Sequence, residues 1–108
     1  MDIVDHQEEQ FENDMEIIGN MLKNVAREKG LLLRDAPVNP SFRHTFLLSG
    51  GFYIYIIKHI VRSADEVEDY NIIYNGGYYK KAYNIQEVYD ICAHIIRYTM
   101  GAPPAMTF

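Results

Sequence analysis

In this chain of 108 residues, few side chains of the types used in catalysis or metal binding occur at the spacings that such sites require. The histidines are His6, His44, His59 and His94, and the one cysteine is Cys92. Because no HxxxH or CxxC spacing occurs, we expect no metal site and no cofactor. Cys92 lies among isoleucines at helical spacing, which favours a buried, inert thiol over a nucleophile. The sequence therefore predicts a protein that is not an enzyme.

Charge is distributed unevenly along the chain, whose net charge is −5. Residues 1–16 contain seven acidic residues and no lysine or arginine, and residues 65–69 add four acids. The stretch between them is basic and includes Arg34 and Arg43, whose guanidinium groups present a fork of donors that suits an oxyanion. The overall acidity argues against nucleic acid as a partner, but the basic middle could receive one compact anion.

The N-terminal acids form a stripe if their segment is helical. Asp5, Glu9, Glu12 and Glu16 then fall on one face of the helix. Such a stripe is usually a solvated face, but it can also mimic the phosphates of a nucleic acid, as small inhibitors of nucleases do. A second function therefore stays open: a small acidic inhibitor, or immunity-type protein, that blocks a partner enzyme through its acidic helix.

The elements that position these residues follow from the spacing of the apolar side chains. From Phe11 onward they recur every three or four positions, which predicts a helix over about residues 5 to 29 that ends at Gly30. Since the apolar face begins only at Phe11, we expect an acidic leader at 1–10 and a folded domain at 11–108.

A series of strands follows the first helix. Strands are predicted at residues 31–34, 44–48 and 52–61, and a hairpin at residues 70–83. Asn75-Gly76-Gly77 fits a two-residue turn. That turn would place one set of side chains on one face of the hairpin: Tyr70, Ile72, Tyr74, Tyr79 and Lys81.

A second helix closes the chain. Asn84, with Glu87 three positions on, caps its start, and Gly101 followed by Pro103-Pro104 ends it. The order helix, strands, helix predicts an α+β fold in which a central antiparallel sheet is flanked by two helices, one on each side.

Three patterns, taken in this order, resemble the Src-homology-2 family of phosphotyrosine-binding domains. Gly30-Leu31-Leu32-Leu33-Arg34-Asp35-Ala36 is similar to the family's Gly-x-Phe-Leu-Val-Arg-Asp/Glu-Ser strand. Asp69-Tyr70-Asn71-Ile72 and Gly76-Gly77-Tyr78-Tyr79 resemble its His-Tyr-Lys-Ile and Gly-Gly-Tyr-Tyr segments. Tyr83-Asn84-Ile85-Gln86-Glu87-Val88 resembles the start of its second helix. The resemblance covers about residues 11–108 and implies a Src-homology-2-like fold.

The resemblance also implies a phosphotyrosine site. Arg34 would bind the phosphate, although the family's helix arginine is missing and Ala36 replaces its serine. Donors from the loop after Arg34 would then have to complete the pocket: Ser41, Arg43, His44 and Thr45. The peptide would meet Tyr70, Lys80 and Lys81, with residues 102–106 beside a second pocket.

Two alignments of the strand after Arg34 are possible. Either residues 52–57 form that strand after a long loop, or residues 44–49 form it and the sheet gains an extra strand. We expect the first arrangement.

The function implied is a non-catalytic adaptor or phosphosite-shielding protein, for example a bacterial effector, that binds tyrosine-phosphorylated proteins or peptides. We expect a monomer in the cytoplasm, or in the host cytosol for an effector, since the single cysteine suits a reducing compartment. The acidic N-terminus does not resemble a secretory signal. No apolar run approaches the roughly 20 residues that span a bilayer, so no membrane partner is expected.

Overall fold

The computed structural model describes residues 3–99. Its elements are α1 (Ile3–Glu28), β1 (Leu33–Asp35), β2 (Arg43–Leu48), β3 (Phe52–Lys58), β4 (Tyr70–Tyr74), β5 (Tyr78–Ala82) and α2 (Ile85–His94), which continues as a π-helical turn (Ile95–Thr99). The predicted α+β class, an antiparallel sheet with two helices, is confirmed. The expected end of α2 at Gly101 and the prolines beyond it lie outside the described residues.

The five strands form a meander in which each strand pairs antiparallel with the next, in the order β1-β2-β3-β4-β5. Both candidate segments after Arg34 are strands, namely β2 and β3, so the sheet has the extra strand and the β1–β2 loop is short, spanning 36–42. The preferred alignment with a long loop was therefore wrong. Short connections suffice because consecutive antiparallel strands need only a turn between them.

The β4–β5 hairpin has a three-residue loop rather than a two-residue turn. Tyr74 pairs with Tyr78, and Gly77 takes a φ of +100°, which favours glycine. Successive side chains of a strand point to opposite faces of the sheet. One extra loop residue therefore puts every β5 side chain on the opposite face from the one predicted. Tyr70 and Ile72 therefore share a face with Ala82 and Lys80 and not, as predicted, with Tyr79 and Lys81.

Only one face of the sheet is buried, and we call it the inner face. It joins both helices in a single apolar cluster that includes Phe11, Leu22, Phe46, Ile54, Ile72, Val88 and Cys92. The two helices also contact each other. They lie on the same side of the sheet, which differs from the expected helix on each side. The burial pattern of the strands agrees with this arrangement, because their side chains alternate between buried and partly exposed. A sheet with a helix on each side would bury the side chains of both faces.

The opposite face of the sheet, here called the outer face, is covered by no described element. Its strand positions, read from the pairing registers, are Arg34, Arg43, Thr45, Leu47, Tyr53, Tyr55, Ile57, Asn71, Ile73, Tyr79 and Lys81. All of them are half-buried or exposed.

Helix α1 packs closely across β1 and β2 because Gly19 has no side chain. A Cβ atom there would lie 3.1 Å from Cε1 of the fully buried Phe46 and 3.5 Å from Oδ1 of Asp35. Residues 3–10 are helical as well, and the Gln7 amide exchanges two hydrogen bonds with the backbone of Val61, at 2.6 and 3.0 Å. Residues 3–10 of the segment expected to be a separate leader are thus part of the fold.

The loop between β3 and β4 is held by a buried lysine. Nζ of Lys58, whose side chain is 4 % exposed, donates to Oε1 of Glu68 at 2.9 Å and lies 5.1 Å from the centre of the Tyr70 ring. The Tyr70 hydroxyl donates to the same carboxylate at 3.2 Å. A buried ammonium needs such partners, because burial removes the water molecules that would otherwise solvate its charge. Burial, followed by the charge of Glu68, raises the pKa of Tyr70.

Removing the Glu68 carboxylate should destabilise the protein. Glu68→Ala leaves Lys58 without its only acidic partner among the described residues, at an expected cost of about 1–3 kcal/mol in the free energy of unfolding. Asp65→Ala is the control, since Asp65 is exposed in the same loop and makes no side-chain hydrogen bond within residues 3–99. Urea denaturation of both variants measures the difference; equal losses would show that Lys58 does not depend on Glu68.

Candidate functional site

A cleft of about 540 Å³ lies between α1 and the β1–β2 loop. We call it the acidic cleft; its lining residues are Glu8, Phe11, Glu12, Glu16, Asn20, Lys23, Asp35, Asn39, Pro40, Ser41, Phe42, Arg43 and His44. Four carboxylates face two permanently cationic side chains, so the lining has an excess of negative charge.

The helical wall of the acidic cleft carries three carboxylates in a row. Glu8, Glu12 and Glu16 follow each other at four-residue spacing, which separates neighbours by about 6 Å along the helix axis. None of the three makes a side-chain hydrogen bond or an ion pair with another residue in the range 3–99. Like charges at this spacing destabilise a helix by about 0.2–0.5 kcal/mol per pair. The wall therefore favours any cation that settles against it.

At the floor of the cleft the Asp35 carboxylate already has two side-chain partners. Nε2 of His44 lies 2.7 Å from Oδ1 of Asp35, and Nζ of Lys23 lies 3.8 Å from the other oxygen of the same carboxylate. The His44 ring packs edge-on against Phe46, with centroids 4.6 Å apart. Asp35 is thus already compensated, which leaves the three glutamates as the carboxylates that a ligand would meet.

The loop wall of the cleft is fixed at Phe42. This residue has a φ of +62°, unusual for a residue other than glycine, and its side chain is buried. Its carbonyl accepts a hydrogen bond from the Lys58 N–H at 2.8 Å. An aromatic residue with left-handed backbone angles raises the conformational free energy of the folded state by on the order of 1–3 kcal/mol. Such a residue persists only where the surrounding structure holds it. The position of Arg43 at the mouth of the cleft is therefore well defined.

Arg34 lies on the other side of the sheet from the acidic cleft. It is exposed at the edge strand, with its backbone paired to Leu47, and no ion pair or side-chain hydrogen bond reaches its guanidinium within the described range. It borders a separate hollow of about 650 Å³ whose wall includes Leu47, Ser49 and Tyr53. The residue of β1 that turns towards α1 is Asp35, one position further along.

The structure separates the predicted phosphotyrosine residues into two groups. Ser41 and His44 line the acidic cleft, whereas Arg34 and Thr45 lie on the outer face, and Arg43 lies at the rim of the cleft with an outer-face register. The alternation of strand side chains is the cause, because neighbouring residues of a strand point to opposite faces. A pocket that combines Arg34 with the loop donors is therefore not formed.

The predicted peptide-contacting residues are also divided. Tyr70 is buried, with its ring stacked 6.4 Å from Phe11, so it presents no surface to a peptide. Lys80 and Lys81 are exposed on β5, and Nζ of Lys81 lies 3.9 Å from Oδ2 of Asp69. Residues 102–106, expected beside a second pocket, lie outside the described residues.

Two sequence signals for the acidic cleft were missed. The predicted stripe contained Glu12 and Glu16 but not Glu8, although all three share a four-residue spacing that could have been read from the sequence. Asp35 was noted only as a neighbour of Arg34. Its pairing with His44 depends on the β1–β2 register and carried no sequence signal.

Comparison with known proteins identified no relative: no protein-family model, no curated protein and no solved structure matches this chain. The resemblance to the Src-homology-2 family stays an interpretation of the sequence patterns. Within residues 3–99, no three histidine, cysteine or acidic side chains are grouped so that they could hold a metal ion. In the same range, no helix has the length and apolarity needed to cross a membrane.

The prediction that Cys92 is buried is confirmed. Its side chain is inaccessible in the core, and burial raises the pKa of the thiol to about 12. The folded protein should therefore react with a thiol reagent much more slowly than the unfolded protein, because only the thiolate attacks. Ile17→Cys, at an exposed position of α1, supplies the control and should react at once. Equal rates for Cys92 in the folded and unfolded states would contradict the assignment.

Proposed function

We propose that this chain is a non-catalytic binding module that holds a basic segment of a partner protein in the acidic cleft, in the manner of a small acidic inhibitor. The observation that carries the proposal is the row of uncompensated carboxylates at Glu8, Glu12 and Glu16, beside an open space of about 540 Å³. Cavities of this size are typical of binding sites in proteins.

The spacing of the carboxylates suggests the form of the partner segment. Along α1 they stand about 6 Å apart, whereas alternate residues of an extended chain are about 6.6 Å apart. An extended segment with basic residues at every second position would therefore place one cation near each of Glu8, Glu12 and Glu16. Its backbone could lie between the helix and the loop, where Asn20, Asn39 and Ser41 offer polar groups.

A charge reversal in the middle of the row tests this function. Glu12→Lys should weaken binding of a peptide with alternating lysine and serine by about tenfold, or roughly 1.4 kcal/mol, since the central contact becomes repulsive. Glu9→Lys changes the net charge equally on the same helix but outside the cleft, and should have a smaller effect. Fluorescence anisotropy with a labelled peptide, at low and at physiological salt, measures both.

The salt dependence and a second peptide sharpen this test. Binding should weaken as salt rises, because Glu12 and Glu16 are exposed and Glu8 is only half-buried, so screening reaches them. A peptide of the same composition with its lysines contiguous should bind less tightly than the alternating one. Equal effects of Glu9→Lys and Glu12→Lys would mean that only net charge matters, and the cleft would not be the site.

A second candidate function, recognition of phosphotyrosine, is favoured by one observation on the outer face. Arg34 has an uncommitted guanidinium next to a hollow in which Leu47 and Tyr53 could contact an aromatic ring. The site would lack the further cations of the Src-homology-2 family, and Arg34 is exposed, so affinity would depend on one screened contact. Binding there would be weak and would involve a different surface from the acidic cleft.

Removing Arg34 tests the second candidate directly. Arg34→Ala should reduce the affinity for a phosphotyrosine peptide by about tenfold or more, since a hydrogen bond to a charged group contributes about 1.5–3 kcal/mol. Arg34→Lys should also weaken it, because an ammonium cannot form the bidentate contact. Arg27→Ala, on the exposed side of α1, removes the same charge elsewhere. Calorimetric titrations that show no difference between Arg34→Ala and the parent would exclude this function.

A further inference from the structure

The Asn75 side chain joins the β4–β5 loop to the turn between β2 and β3. Its Oδ1 accepts a hydrogen bond from the Tyr53 N–H at 2.9 Å, and its Nδ2 donates to the C=O of Gly51 at 3.1 Å. The backbone N–H of Asn75 adds a longer bond to the C=O of Tyr53, at 3.3 Å. Both ends of the amide are therefore used, so this position needs an acceptor and a donor on one short side chain.

Asn75 is also the asparagine of this chain whose amide is most easily lost. Asparagine is a thermolabile residue, because the backbone nitrogen of the following residue can attack its Cγ. A side chain on that following residue hinders the attack. The other six asparagines precede a residue with a side chain or, at Asn39, a proline that has no N–H. Only at Asn75-Gly76 is the obstacle missing.

The structure explains why position 76 is a glycine, and it leaves the nitrogen of that glycine without a partner. A Cβ atom on Gly76 would overlap the ring of the buried Tyr74. The Gly76 N–H makes no hydrogen bond to another residue in the range 3–99. Asn75 and Gly76 are both exposed. The attacking nitrogen is thus not held by any described group, and water reaches the loop.

We propose that Asn75 is a site of spontaneous deamidation in the folded protein, and that this modification releases the β4–β5 loop from the β2–β3 turn. The Gly76 nitrogen gives up its proton to the solvent and bonds to Cγ of Asn75. The Cγ–Nδ2 bond breaks, Nδ2 takes up a proton and leaves as ammonia, and a succinimide ring remains. Water then opens the ring at either carbonyl, which gives aspartate or isoaspartate. Water is the only co-reactant, and nothing is oxidised or reduced.

Either product weakens the link between the loop and the turn. An aspartate still accepts from the Tyr53 N–H, but it has no donor for the C=O of Gly51, so two acceptors face each other there. Isoaspartate also lengthens the backbone of the loop by one carbon. Gly51 and Tyr53 line the hollow beside Arg34, so the new negative charge lies next to two residues of its wall. The inference does not depend on either proposed function.

The two hydrogen bonds of the amide determine how fast the reaction should be. Both must break before Cγ can meet the Gly76 nitrogen, so the reaction starts from a locally open loop. Loop tips open at a small part of the free energy of global unfolding, which is about 5–15 kcal/mol. We therefore expect the folded protein to deamidate within about a thousandfold of the rate of the denatured chain, or at an opening cost below about 4.1 kcal/mol.

Peptide mass spectrometry measures this rate. The protein is incubated folded, and denatured in guanidinium chloride, in the same mildly alkaline buffer, which favours loss of the Gly76 proton. The change in mass from amide to acid should appear first at Asn75 in both samples. Asn75→Gln should abolish this early change, because the longer side chain has to close a larger ring. A folded protein that reacts more than about a thousandfold more slowly than the denatured chain would overturn the proposal, since the reaction would then need global unfolding. An unchanged early mass gain in Asn75→Gln would do the same.

A substitution that reproduces the aspartate product tests the release of the loop separately. Asn75→Asp should raise the equilibrium constant for unfolding about tenfold in urea denaturation, because a hydrogen bond is replaced by two facing acceptors. Asn71→Asp is the matched control, since it adds the same charge but keeps the Oδ1 acceptor for the Tyr79 hydroxyl. Its effect should be smaller. An Asn75→Asp protein as stable as the parent, or an equal loss in Asn71→Asp, would overturn the proposed release.

Discussion

The packing of α1 and α2 on one face of a five-stranded meander determines most other features of this molecule. A strand turns its side chains to alternate faces, so covering one face fixes which residue of each pair is buried. Once Leu33 is placed in the core, Arg34 must point outward and Asp35 must turn back towards α1. The acidic cleft and the uncovered outer face both result from which residues of each strand face the helices.

The sequence predicted the elements well and their arrangement less well. The apolar spacing in α1 and the aromatic and β-branched run of β3 identified these segments, because both patterns are local. The placement of both helices on one face was missed, since the packing side is decided by contacts between distant parts of the chain. The length of the hairpin loop was missed for a smaller reason: Asn75-Gly76-Gly77 is compatible with more than one turn, and one extra residue reverses the faces of β5.

The candidate site shows the same division between local and distant information. The basic and acidic residues were recognised by type, but a sequence cannot tell on which side of a sheet an arginine lies until the sheet is assembled. Arg34 was given the phosphate role because its neighbours resemble a known strand pattern. The structure instead brings together Glu8, Asp35 and His44, from three segments (α1, β1 and β2) that carry no shared pattern. The helix side of the sheet is acidic and the open side is basic. The net charge of the chain does not reveal this separation.

The Gln7 side chain acts as a substitute strand neighbour for Val61, since it accepts from the N–H and donates to the C=O of the same residue. This pair of bonds connects the first turns of α1 to the β3–β4 loop, and Glu68 connects that loop to the sheet through Lys58. The end of a helix normally frays, but here a fraying motion would have to break both bonds. Glu8 follows directly after Gln7 in α1, so the acidic cleft is held in shape before any ligand arrives. A partner that binds there would lose little free energy in ordering it.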